Sequence, residues 1–278
     1  MRFKIYRQFG ALNSQPLFDA FTAGLIKLGH TVVDNNEDCV VIWSVLWQGR
    51  MLGNKQVYDA ALKNNIPVMI LEVGNLIRGV SWRLSLNNIN GLGTFASHGN
   101  LDQKRPEKLR IFLKDYKKDR REEILICTQH HSSLQWHDQP PIETWVEKTV
   151  KRIRKYSNRP IVVRPHPRCP THINLPEIVV QQPNLVQGTY DNFDIDYNYH
   201  CVINHSSGPT ILAAIEGIPI ICSDSSLAYE ISNRYQNLEN LEYPDRSEWF
   251  LKLCHTEWLL EEFGEGIPQS RLIPLIKT

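Results

Sequence analysis

CVINHSSGPTILAAIEGIPIICS, residues 201–223, is the stretch on which the fold turns. It reads as an apolar strand over 201–204, a Ser-Ser-Gly-Pro helix start, an apolar helix over 208–216 and a second apolar strand over 218–223. A strand, a helix and a strand in so short a span form a βαβ unit, whose strands must run parallel. Upstream lie EILIC (123–127), a helix over 142–156, PIVVRPH (160–166) and EIVVQ (177–181). Five strands joined by crossovers predict an open parallel sheet. The order 3-2-1-4-5 sets the ends of EILIC and CVIN side by side, where ligands of such sheets bind.

Working outward, the first 75 residues repeat the pattern. FKIY, TVV, CVVIW and PVMILE read as strands, with helices over 16–28 and 54–64. Residues 73–103 are rich in Gly and Asn and read as irregular, which in a compact chain marks a functional or interdomain segment. The basic stretch 104–121 reads as helix, as do residues 246–262. The expected class is therefore α/β, with two Rossmann-like domains, 1–120 and 121–278, facing across a cleft.

Composition narrows the functional classes. Of 278 residues, 42% are hydrophobic and 22% charged, the balance of an ordinary globular protein. A net charge of +1 gives no global field for a polyanion. Only 104–121 and 148–159 are locally basic, as a solvated helix face or as a nucleic-acid surface. Six dispersed cysteines with no CxxC spacing predict reduced, buried thiols and a cytoplasmic setting. The opening residues read as a strand rather than a signal peptide, and no apolar run reaches 18 residues, so no membrane span is expected.

Three polar segments end strands of the second series. Asn204-His205-Ser206-Ser207-Gly208-Pro209 opens a helix, where unbonded N–H groups, the helix dipole and two hydroxyls suit a phosphate. Arg164-Pro165-His166-Pro167-Arg168 holds guanidinium and imidazole donors on a stiff turn. Thr128-Gln129-His130-His131-Ser132-Ser133 stands over the central strand, and Gln129, His130 or His131 can meet phosphate or sugar. A plain N-cap and a solvated turn are the structural alternatives. A metal held by His130, His131, His137 and Asp138 matches no standard zinc spacing, so no metal is expected.

RPHP followed by NHSSGPTILAAIEGIPII resembles the C-terminal half of two-domain (GT-B) glycosyltransferases, of the capsule Kdo-transferase and teichoic-acid glycerophosphotransferase type. The likeness covers about residues 124–235. It implies a nucleotide-sugar co-substrate, no other cofactor, His166 on the donor phosphate, and Ser206 and Ser207 capping it. The chain departs from the pattern at Leu212, where these families often carry a Glu; Glu216 stands four residues on.

In such enzymes the acceptor docks on the first domain, and an inverting mechanism needs a general base near its hydroxyl. Glu72, ending PVMIL, is the first candidate and His130 a second, with Asp19 and Asp38 behind them. Trp43, Trp47 and Arg50, with Arg78, Trp82 and Arg83, form the expected acceptor surface. The acceptor is a glycan or polymer precursor, or a hydroxylated base of DNA. A non-catalytic nucleotide-binding module and a glycerophosphotransferase are the alternative readings. The sequence sets no oligomeric state.

Overall fold

A computed structural model describes residues 1–188 and 193–276 and divides the chain into two compact units. The first is Met1–Ile111 with Phe250–Thr278, and the second is Phe112–Trp249. The second therefore stops at Trp249 instead of running to 278.

The first unit contains strands β1 (Arg2–Ile5), β2 (Thr31–Val32), β3 (Cys39–Trp43), β4 (Val68–Val73), β5 (Ser81–Leu86) and β6 (Thr94–Phe95), with helices α1 (Gln15–Lys27), α2 (Leu52–Lys63) and α3 (Arg105–Leu109). The second contains β7 (Ile124–Cys127), α4 (Ile142–Ile153), β8 (Ile161–Arg164), β9 (Ile178–Val180), β10 (Cys201–Ile203), α5 (Gly208–Ile215) and β11 (Ile220–Ile221). Helix α6 (Ser247–Cys254) spans the boundary, and β12 (Glu257–Leu259), α7 (Leu260–Gly264) and α8 (Ile267–Leu272) complete the first unit.

The second unit has the expected topology. Its sheet runs β11-β10-β7-β8-β9, all parallel, so β7 and β10 are neighbours with Cys201 beside Ile124 and Ile203 beside Ile126. Ile124, Ile126, Ile161, Val163, Cys201 and Ile203 form its core with Val146, Val150 and Ile153 of α4. Gly217 ends α5 at φ +82°, and a Cβ there would collide with the Asp115 carbonyl.

The first sheet runs β12-β5-β4-β3-β1-β2, with β6 on β5. The strands β2, β1, β3 and β4 are parallel as expected, but β5, β6 and β12 are antiparallel additions. Two of them lie in the stretch read as irregular. The helix expected over 246–262 is broken, because residues 257–259 pair with Ser81–Arg83 of β5. The basic stretch is helical only over Arg105–Leu109: Pro106 starts it and Arg110, at φ +54°, ends it. Trp258, Phe263, Leu272 and Ile273 then fill the core made by Phe3, Phe18, Phe21, Trp43 and Leu71. Each such side chain, fully buried, stabilises by about 1.5–3 kcal/mol. All six cysteines are free thiols, five of them buried.

Candidate functional site

Parallel pairing of β8, β7 and β10 brings the three polar segments to one edge of the second sheet. Four hydrogen bonds stitch them together. Thr128 N–H donates to the Arg164 carbonyl (3.0 Å), and His166 N–H to Thr128 Oγ1 (3.0 Å). Asn204 Nδ2 donates to the Cys127 carbonyl (3.2 Å), and Ser206 N–H to Gln129 Oε1 (3.2 Å). Thr128 and Asn204 thus hold the edge together; in the sequence they are only members of polar runs.

The bond from Ser206 orients the Gln129 amide, since only its oxygen can accept. Gln129 Nε2 then has no hydrogen-bond partner, and neither has Ser206 Oγ, although both atoms are buried. Leaving a buried polar group unpaired costs about 1–3 kcal/mol. Two such atoms on adjoining residues suit a polar ligand. Ser207 is the N-cap of α5 by position, but its side chain caps nothing. Its Oγ accepts from Asn204 Nδ2 (2.7 Å) and its N–H donates to Asn204 Oδ1 (2.7 Å). Gly208 and Pro209 begin the helix.

Two imidazoles at this edge share one arrangement. Ser132 N–H donates to His130 Nδ1 (3.1 Å), and Arg168 N–H to His166 Nδ1 (3.1 Å). In the neutral ring an accepting Nδ1 puts the proton on Nε2, so each presents an Nε2–H donor. The rings meet edge to face, 5.4 Å apart. Burial, aided by His131, pushes His130 below the ordinary histidine value, so it donates without being charged.

Other expected residues are committed elsewhere. Arg164 is buried and spans inward to the Asp196 carbonyl (2.8 Å) and the Tyr199 hydroxyl, so it anchors the 194–199 segment and is no open phosphate contact. His205 packs edge-on against Trp136 at 5.5 Å, and burial lowers its pKa. Arg168 is exposed. His131 is exposed and its Nδ1 lies 3.0 Å from Cys169 Sγ, a contact across 38 positions that spacing could not suggest. His137 and Asp138 pair with each other in solvent, away from any such cluster. Glu216, at the end of α5, pairs with Lys114, and Leu212 is helical.

In the first unit, β3 and β4 end side by side. Ser44, buried at φ +61°, donates its N–H to the Leu71 carbonyl (2.7 Å), and its hydroxyl bonds the Glu72 carboxylate. A left-handed serine stores strain of the kind found at functional sites. Burial pushes the Glu72 carboxyl above the usual carboxylate range, against bonds from Ser44 and Val73 and the nearby Arg83 and Arg78. The turn after Glu72 is held by Glu257. This fully buried carboxylate accepts from Asn75 N–H (2.7 Å), Leu76 N–H (3.0 Å), Ser81 Oγ (2.7 Å) and Arg83 Nη2 (3.0 Å). Gly74 is required there, because a Cβ would strike Glu257 and Ser81.

The expected acceptor surface is reduced. Trp43 belongs to the core, 5.9 Å from Trp82, which is half-buried against the same cluster. Arg83 is buried on Glu257. Trp47 is half-buried against Tyr58 (5.6 Å), while Arg50 and Arg78 are exposed. Asp19 and Asp38 are tied to Arg7 and Arg2. Of the basic stretch, Lys108, Lys114, Lys117 and Arg121 all face carboxylates, which favours a solvated surface over a polyanion site. Among the described residues no helix is long and apolar enough to cross a membrane.

No family model matches the chain, and no curated protein matches it in sequence. Solved structures do. The beta Kdo 2,7 transferase of Thermosulfurimonas dismutans KpsC aligns with a TM-score of 0.53 at 15% identity, over 97% of this chain and 99% of that one. The beta Kdo 2,4 transferase of the same KpsC aligns at 0.51 and 14%, over 90% and 89%. The chain shares the fold of these two transferases along most of its length.

Proposed function

We propose that the protein is a glycosyltransferase that takes a nucleotide-activated sugar and passes it to a hydroxyl of a glycan or polymer precursor. The observation that carries this is the β7/β8/β10 edge, where buried Gln129 Nε2 and Ser206 Oγ have no hydrogen-bond partner on segments that adjoin His130 and His166. The donor phosphate accepts from these groups and from the start of α5. The likeness to Kdo transferases makes a nucleotide-activated Kdo the first donor to try.

In this mechanism the acceptor oxygen attacks the anomeric carbon as the bond from that carbon to the phosphate oxygen breaks. The electron pair leaves with the phosphate, where the imidazole, hydroxyl and helix N–H donors stabilise the growing charge. The acceptor proton passes to a general base. Glu72 has the chemistry for that role, since a carboxylate whose pKa burial raises is a better base, once ionised, than a solvated one.

A thermal-shift screen of nucleotides and nucleotide-sugars tests the donor half. Ligand at 100 times its dissociation constant adds about 2.7 kcal/mol of stability. The reading is refuted if no nucleotide or nucleotide-sugar shifts the transition.

A further inference from the structure

We infer a second kind of ligand at this edge: a thiophilic divalent cation of the zinc class, bound by His130, His131 and Cys169. A ring nitrogen of each histidine and Cys169 Sγ lie within 4.8 Å of one another. His131 Nδ1 and Cys169 Sγ are already 3.0 Å apart. Tetrahedral zinc with N and S ligands has ligand–ligand edges of roughly 3.3–3.7 Å, so the pair must open slightly and His130 close slightly. These are side-chain movements. Cys169 is held by its own N–H donating to the His166 carbonyl (2.9 Å), between Pro167 and Pro170, which keeps the thiol aimed.

The chemistry balances simply. In the tautomer in which the thiol donates to His131 Nδ1, His131 carries its own ring proton on Nε2 and Nδ1 is available to a metal. A cation entering that position displaces the thiol proton to solvent and gains one thiolate and one neutral imidazole. His130 must give way more. To coordinate through Nε2 its ring proton moves to Nδ1, and Ser132 N–H turns away from that atom. Three protein ligands leave one position of the tetrahedron for water or another oxygen ligand. Soft-metal preference follows from the donor set, with one thiolate, two imidazoles and no carboxylate in the group.

Cobalt(II) reports on this directly. One equivalent added to the wild-type chain should give tetrahedral d–d bands and a near-ultraviolet thiolate-to-metal charge-transfer band, displaced by zinc and not by magnesium. Cys169→Ser and Cys169→Ala should lose the charge-transfer band, and His131→Ala should weaken binding at least tenfold. His137→Ala, at the neighbouring exposed histidine, should bind as wild type does. Circular dichroism checks that each variant is folded. A wild-type cobalt spectrum without a charge-transfer band overturns the proposal, and this needs no variant to fold. Binding that survives the loss of Cys169 with its charge-transfer band intact overturns it equally.

Discussion

Replacing Glu257 with Gln keeps its size and removes one charge. The wild-type carboxylate is fully buried and accepts four hydrogen bonds, one from the buried guanidinium of Arg83. In the variant Arg83 keeps its charge but loses its hydrogen-bonded counter-ion, and the new amide turns N–H donors toward the Asn75 or Leu76 N–H. Removing one partner of a buried ion pair costs about 3–5 kcal/mol, a fifth or more of a typical total of about 5–15 kcal/mol. For a unit of this size that is on the order of 10 °C in melting temperature. Calorimetry gives the loss, and hydrogen exchange locates it: the amides of Asn75 and Leu76 should lose protection while those of β7 and β10 keep theirs. Arg83→Met with Glu257→Met should recover part of the loss, since it removes both charges. A Glu257→Gln midpoint equal to wild type, or unchanged exchange at Asn75 and Leu76, refutes the reasoning.

Ser206→Ala removes a buried hydroxyl with no partner, so the unliganded protein should hold its stability or gain roughly 1 kcal/mol. Nucleotide-sugar affinity should fall tenfold or more by calorimetric titration, the worth of a hydrogen bond to a charged group. Glu72→Gln should lower the transfer rate about 10²–10⁴-fold. A raised folded pKa means Glu72 favours folding only at low pH and opposes it once ionised, so this variant should be more urea-resistant than wild type near pH 7. Trp43→Ala should cost about 3–5 kcal/mol as a core truncation, visible in the urea midpoint whether or not acceptor is present. His130, His200, His205 and His255 all have depressed folded values. As pH falls below about 6.5 the unfolded chain takes up protons first. Stability is therefore kept above that pH and lost beneath it, and urea midpoints at about pH 7.5 and pH 5.5 should differ in that sense.

The second unit was readable because its strands are continuous apolar runs, as buried parallel strands must be. ILIC and CVI carry no charged or amide residue to confuse the pattern, and IVVR carries only Arg164 at its end. The first unit's added strands are harder to read. SWRLSL alternates polar and apolar residues, yet it lies in a Gly- and Asn-rich stretch, and its polar face, with Ser81, Arg83 and Ser85 all buried, is not the solvated face that such alternation implies. Only its partner β12 explains how Arg83 can be there, and that partner lies 174 residues away. The site divides the same way. Strand ends could be read locally, whereas the inward turn of Arg164 and the meeting of His131 with Cys169 are tertiary facts. Aromatic bulk serves a core as well as a surface, so the sequence leaves both open for Trp43, and tertiary packing assigns it to the core.

The return of residues 250–278 to the first unit bears on how the chain matures during synthesis. Domains usually complete in the order in which they leave the ribosome. Here the first unit cannot close its core until Trp258, Phe263, Leu272 and Ile273 have emerged, while every strand of the second unit is available once Ile221 is out. The portion translated in the middle finishes first. Until then the earlier portion waits with the β5 edge uncovered and the Arg83 charge unmatched. That interval is when the nascent chain is most exposed to aggregation, and a pause in translation between residues 222 and 257 would lengthen it.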